Sequence, residues 1–237
     1  LHLNTIFTNF TTTNQKTKNQ KPNKMKEFSK GDLEGIQRPL PETGLQVARC
    51  YGIAFLGTLP SKFKGAPVLG KDGKQVYAPE ITFFWELPNT TYVWKEGEPE
   101  EPVTLFYTYS VSAGAKAKLP DVLKSWGSLP KRPEVIGPQL IDRYKGQLCM
   151  INVEHSQDGK YANVGGSGRA VNPFMKGLPV PKPMKEQFFF DVENFDWNLF
   201  DALPRFIQDK IMESKEFANV TDTPNVSSLV PDDDLPF

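Results

Sequence analysis

Histidine, cysteine and paired carboxylates carry most catalysis and metal binding, and in this chain their spacing gives such chemistry little to build on. The only histidines are His2 and His155. Neither has an acidic or cysteine partner at a useful interval, so acid/base, triad and metal-ligand arrangements are not expected. His155 reads as a structural or surface residue at a hairpin. Cys50 and Cys149 are far apart and lack any CxxC or Cys/His companion, so neither a zinc site nor a disulfide framework is indicated and two small buried hydrophobes are expected. Glu96, Glu98, Glu100 and Glu101 are interspersed with Gly and Pro and read as a solvated loop rather than a two-metal centre. Gly165-Gly166-Ser167-Gly168 lacks the Lys-Ser/Thr ending of a phosphate loop and reads as a flexible strand end. The expectation is a protein without enzymatic activity, cofactor or metal.

Binding of single-stranded nucleic acid needs different residues: cations along a groove for phosphates and exposed rings for bases. Lys62, Lys64, Lys71 and Lys74 cluster around Phe63 and Tyr77; Lys116, Lys118 and Lys124 follow Tyr107 and Tyr109; Lys160, Tyr161 and Arg169 belong to a late hairpin. Phe83 and Trp85, on a strand, read as core. Phe63, Tyr92, Trp94 and Tyr161 lie in or beside loops and are open to either role, as the lysines are open to being ordinary surface. The candidate DNA-binding set is therefore Lys62, Phe63, Lys64, Lys71, Lys74, Tyr77, Tyr92, Trp94, Lys116, Lys118, Lys160, Tyr161 and Arg169.

The net charge of zero conceals an asymmetry. Residues 1–43 hold 7 basic and 4 acidic side chains, 44–189 hold 18 and 13, and 190–237 hold 3 and 11. A basic body with an acidic end suggests a polyanion ligand and a tail that partners or restrains it. The tail ends Asp232-Asp233-Asp234-Leu235-Pro236-Phe237. Its carboxylates can meet a basic rim, Pro236 limits the backbone entropy lost on docking, and Phe237 offers a ring and a terminal carboxylate to one pocket.

The elements that must position these residues are mainly β. Aromatics at 12% supply a core, while 21 prolines and 18 glycines break the chain into short elements. Alternation predicts strands over about 45–57, with Val47, Arg49, Tyr51, Ile53 and Phe55 in phase, then 75–87 and 103–111. In the second, Ile81, Phe83, Trp85 and Leu87 share a face. Residues 115–126 follow helical spacing if Pro120 sits in the first turn, and a short helix falls near 140–144. Two more strands, 147–155 and 160–168, complete the order. Asp72-Gly73 and Asp158-Gly159 signal two-residue hairpin turns. Three strands, a helix and two strands are the order of an OB-fold, a five-stranded Greek-key barrel that binds oligonucleotides.

Four regions follow. Residues 1–43 are expected to be disordered, with 17 of the first 24 being Asn, Thr, Lys or Gln; residues 1–24 read as non-native upstream sequence before Met25. Residues 44–189 form the barrel. Residues 190–217 hold an aromatic stretch that docks back and one amphipathic helix, with Asp201 near its start and Pro204 in its first turn. Residues 218–237 form a disordered acidic tail. No apolar run approaches membrane-helix length, so a soluble, intracellular protein is expected.

The terminal Asp232–Phe237 resembles the tip of bacterial single-stranded DNA-binding proteins, which ends Asp-Asp-Asp-Ile-Pro-Phe, with Leu235 in the isoleucine position. The body, from about Val47 to Phe217, resembles a family of phage-encoded single-stranded DNA-binding proteins. The resemblance is carried by Ala48-Arg49-Cys50, Leu56-Gly57-Thr58, Phe84-Trp85-Glu86-Leu87-Pro88, Tyr107-Thr108-Tyr109-Ser110 and Lys116-Ala117-Lys118-Leu119. It continues through Lys124-Ser125-Trp126, Gly146-Gln147-Leu148-Cys149, Asn152-Val153, the Asp158–Asn163 hairpin and Phe200-Asp201-Ala202-Leu203-Pro204. The resemblance implies an OB barrel that coats single-stranded DNA during phage replication, recombination and repair in the bacterial host cytoplasm. It also implies a tip that recruits replication and repair proteins. Strand annealing or recombination mediation, and a protein adaptor without nucleic-acid binding, remain alternatives, and self-association is left open.

Overall fold

The computed structural model describes residues 39–63, 65–94, 96–115, 117–127, 131, 133–165 and 171–221, the side chains of Phe63 and Thr221 excepted. The chain is mainly β. In order it forms β1 (Gly44–Pro60), β2 (Lys62–Phe63), β3 (Ala66–Pro67), β4 (Tyr77–Tyr92), β5 (Glu101–Ser110), α1 (Leu119–Ser125), α2 (Pro138–Asp142), β6 (Leu148–His155), β7 (Ala162–Val164), β8 (Val171–Pro173), β9 (Phe188–Asp191), α3 (Trp197–Ala202), α4 (Arg205–Met212) and α5 (Phe217–Thr221). Seven strands make one open sheet in the order β5-β4-β1-β6-β7, with β8 added to β6 and β9 to β1. All pairings in it are antiparallel except β1 with β9.

β1 organises the sheet. One edge pairs with β4 along most of its length; the other pairs with β6 over Gly44–Arg49 and with β9 over Gly52–Phe55. The partner changes at a bulge between Cys50 and Gly52. An extra residue shifts the side-chain alternation by one, so Ala48 and Cys50 face the same core as Ile53, while Tyr51 faces the opposite side. The expected single face of Val47, Arg49, Tyr51, Ile53 and Phe55 is therefore broken: Arg49 and Tyr51 lie on one side, Ile53 and Phe55 on the other. Gly52 also admits the Phe188 ring; a Cβ there would lie 2.1 Å from Phe188 Cε1.

The two sides of the sheet bury separate cores. The first contains Ile81, Phe83, Trp85 and Leu87 of β4, as their alternation predicts, with Leu105 and Tyr109 of β5 and Ile151 and Val153 of β6. α1 closes it with Leu119, Val122 and Leu123, joined by Trp126, and Pro120 lies in the first turn, where its missing N–H leaves no bond unmade. Trp126 Nε1 donates to Leu148 O at 3.2 Å and Tyr144 Oη to Leu123 O at 2.9 Å. Each large apolar side chain removed from water contributes about 1.5–3 kcal/mol.

The second core lies on the reverse side, where Ala54, Leu56 and Phe84 meet Phe190, Phe200, Leu203, Ile207 and Ile211. The aromatic stretch after the proline-rich linker thus docks on the sheet. The expected single helix there is instead two. Asp196 caps α3 by accepting from Asn198 N at 2.8 Å and Leu199 N at 3.2 Å, and Asp201 lies inside it. Pro204 forces Leu203 into an extended conformation (φ −72, ψ 151) and becomes the N-cap of α4.

The Asp-Gly turns also differ from expectation. Gly73 N donates to Gly70 O at 3.0 Å and Gly70 N to Lys74 O at 2.8 Å, leaving a three-residue loop that ends on Gly73 at φ 72. Gly159, at φ 66, likewise closes its turn by donating to Ser156 O at 2.9 Å. In both, glycine supplies the left-handed residue after the turn rather than the second centre of a two-residue one. β2 and β3 pair as a short hairpin after β1, and of the carboxylates expected in a solvated loop Glu96, Glu98 and Glu100 lie between β4 and β5 while Glu101 is the first residue of β5. β7 spans Ala162–Val164; residues 166–170, where the last strand was expected to continue, lie outside the described residues, as do 1–38 and 222–237.

Candidate nucleic-acid interface

No ladder joins β5 to β7 among the described residues, and a groove of about 720 Å³ runs between these two edges. Its floor and one wall are Val103–Thr108 of β5; the other wall is Lys160–Gly165 with Glu154 and His155. Pro39, Leu40 and Pro41 also line it. This last segment is fixed by His155, whose Nε2 is 2.8 Å from Pro41 O. Since a carbonyl only accepts, that nitrogen carries the proton, and His155 acts here as a structural donor.

Strand alternation explains what the groove presents. Val103, Leu105 and Tyr109 of β5 are buried, which turns Thr104, Phe106 and Thr108 outward, with Phe106 47% exposed. On the facing hairpin the Ser156 hydroxyl donates to Asp158 Oδ1 at 2.5 Å and accepts from Tyr161 N at 3.0 Å. The Asp158 carboxylate also accepts from Lys160 N at 3.2 Å. The hydrogen bond from Ser156, followed by that from the Lys160 backbone, holds the Asp158 carboxyl below its ordinary value. The turn so tied places Lys160 in solvent and leaves Tyr161 65% exposed. An exposed ring on each wall, with Lys160 next to Tyr161, suits bases and phosphates.

The other sequence-predicted residues that the structure describes do not line this groove. Lys71 and Lys74 stand exposed at the tip of the loop after β3. Lys62 is exposed and 3.8 Å from the Glu213 carboxylate, a screened surface pair. Tyr77, 45% exposed, carries the Lys215 ammonium 3.8 Å above its ring. Tyr92 packs against the first core and meets Trp94 edge-on, with centroids 5.2 Å apart, so both rings are partly covered. Lys118 is exposed at the start of α1. Lys64, Lys116 and Arg169, and the tip Asp232, Asp233, Asp234, Leu235, Pro236 and Phe237, lie outside the described residues, as does the Phe63 side chain. Phe106, missed in the sequence, had a signal: an aromatic between two threonines on the strand face opposite the apolar one.

Burial pushes both thiols up, well out of the range of thiolate chemistry, Cys50 and Cys149 being fully buried and free. No cluster of three or more His, Cys, Asp and Glu able to hold a metal occurs among the described residues, and no described helix is long and apolar enough to cross a membrane. No model of a known protein family matches the chain, and no curated protein matches it.

Proposed function

We propose that this chain binds single-stranded DNA with little sequence preference, through an OB-type barrel whose cleft is the β5–β7 groove. The observation that carries this reading is the open seam itself, with Phe106 of β5 and Lys160 and Tyr161 of the late hairpin among the residues that line it. The strand path supports it. Taking β1, β4, β5, β6 and β7 as the five barrel strands, the third and fifth are the two edges that meet at the seam, and α1 plugs the core between the third and fourth. Partly open five-stranded Greek-key barrels present loops and sheet faces to oligonucleotides in this way. Lysines neutralise phosphates and rings stack on bases, each base adding about 1–3 kcal/mol irrespective of its identity.

The acidic tip Asp232–Phe237 recruits replication and repair proteins, with the phage setting and host cytoplasm resting on the resemblance of the sequence. The test is a fluorescence titration of the full chain against single-stranded DNA, duplex DNA and single-stranded RNA at two salt concentrations. Selective binding to single-stranded DNA, weakening with salt by about −0.7 in the log–log slope per phosphate contacted, is expected. No binding to any of the three would leave an adaptor in its place. Truncation before Val230 is expected to preserve DNA binding and abolish pull-down of host replication proteins.

A further inference from the structure

On the outer side of the sheet, Phe106 stands between a buried ring and an exposed one. Phe84, 2% exposed, lies with its centroid 6.3 Å from Phe106, and Phe206 of α4 lies 4.6 Å beyond, at an interplanar angle of 34°. Phe106 and Phe206 keep 47% and 42% of their surface in water. Two adjoining phenyl rings left half bare, on positions flanked by Thr104, Thr108, Arg205 and Gln208, are an apolar patch that the core does not use. Phe106 lines the groove; Phe206 does not. The pair therefore carries an aromatic surface out of the groove and onto α4.

We propose that Phe106 and Phe206 form a base-stacking platform that extends the bound single strand beyond the β5–β7 groove and over α4. This inference rests on the single-strand reading above. The occupant follows from the chemistry of the surroundings. Stacking on a base gains most when the ring beneath it is already immobile, and the Phe84 contact anchors Phe106 to the second core. Along β4 on the same side, Lys210 of α4 reaches Glu80 and Lys215 lies over the ring of Tyr77, the residue with which β4 begins after the loop holding Lys71 and Lys74. The cations nearest the platform are each matched by an acid: Lys210 with Glu80 at 3.2 Å and Arg205 with Asp209 at 3.0 Å. The platform consequently contributes stacking rather than charge.

The test uses the full chain and labelled oligothymidylates of about 4 and about 16 nucleotides, the span of lengths that one OB barrel accommodates. Phe206→Ala is expected to weaken binding of the longer oligomer roughly 5- to 150-fold, the equivalent of one lost stacked base. It leaves the shorter oligomer, held in the groove, bound as in the wild type, and the salt slope unchanged. Phe206→Trp restores the longer oligomer. Phe206→Leu keeps an apolar contact with Phe106 but offers no flat face, and it too binds the longer oligomer more weakly, which separates stacking from folding. Wild-type affinity for the longer oligomer in Phe206→Ala, with Tyr161→Ala weakened, would overturn the platform and leave the groove standing. No binding of either oligomer by the wild type would overturn both.

Discussion

Arg49 Nε stands 3.3 Å from Glu86 Oε1 across the β1–β4 ladder, and the Glu86 side chain is wholly buried while that of Arg49 is 10% exposed. The Nε contact is an ion pair without an aligned hydrogen bond. The other atoms of the pair bind the chain that crosses above them. Arg49 donates to Gly146 O and Pro181 O, and Glu86 accepts from Met184 N and Lys185 N, the latter at 2.7 Å. A proline-rich linker with few backbone donors is thereby fastened to the sheet just before β9 begins.

Removing one partner of such a pair strands a charge in the interior, which costs about 3–5 kcal/mol. Arg49→Met is expected to lower unfolding stability by about that much in urea titration. Arg49→Met with Glu86→Leu recovers part of the loss but not all, because Met184 N and Lys185 N lose their acceptor. Full recovery would show that the linker contacts add nothing.

Gly52 is the close-approach point for Phe188. Gly52→Ala is expected to destabilise the fold by about 1–3 kcal/mol, the usual cost of overpacking. The double variant Gly52→Ala with Phe188→Ala should lose less than the two single changes added together, since the clash vanishes with the ring. Additive losses in denaturant titration would mean that β9 does not dock there.

Glu216 ties the C-terminal elements to Thr58 of β1, next to a second irregularity of the β1–β4 ladder between Phe55 and Gly57. Partial burial raises its carboxyl pKa. The hydrogen bonds from Thr58 Oγ1 and Thr58 N, both 2.6 Å, act against that, with Lys215 assisting, and hold it below its ordinary 4.5. A carboxyl depressed in the folded state stabilises fully above its unfolded value and loses that contribution as pH falls through the folded one. Stability should therefore decline as pH drops below about 4.5, and Glu216→Gln should decline less steeply. Parallel wild-type and variant profiles from thermal melts between pH 6 and 3 would contradict this.

Lys160 is exposed and makes no ion pair among the described residues. Lys160→Ala should leave thermal stability unchanged and reduce the salt slope of single-strand binding by about 0.7, one phosphate contact. Tyr161→Ala should weaken binding at every salt concentration without changing the slope. Titrations at several salt concentrations separate the two roles.

Local pattern in the sequence determined the strands of β1, β4, β5 and β6, the apolar face of β4, the place of α1 around Pro120 and the burial of both cysteines. Each of these follows from alternation, helical spacing or turn residues within a short window. The bulge at Tyr51 was not legible, because an extra residue reverses the faces of a strand without changing its composition. β8 and β9 were not legible either: strands of three and four residues carry too little alternation and depend on edges offered by β6 and β1. The candidate site divides the same way. Tyr161 and Lys160 could be named from their hairpin, whereas their place in one groove with Phe106 required β5 and β7, distant in sequence, to become the two ends of one strand order. Tertiary structure likewise decided that Lys62 meets Glu213 and Tyr77 meets Lys215, since side chains so far apart along the chain are brought together only when the C-terminal helices bury the second core.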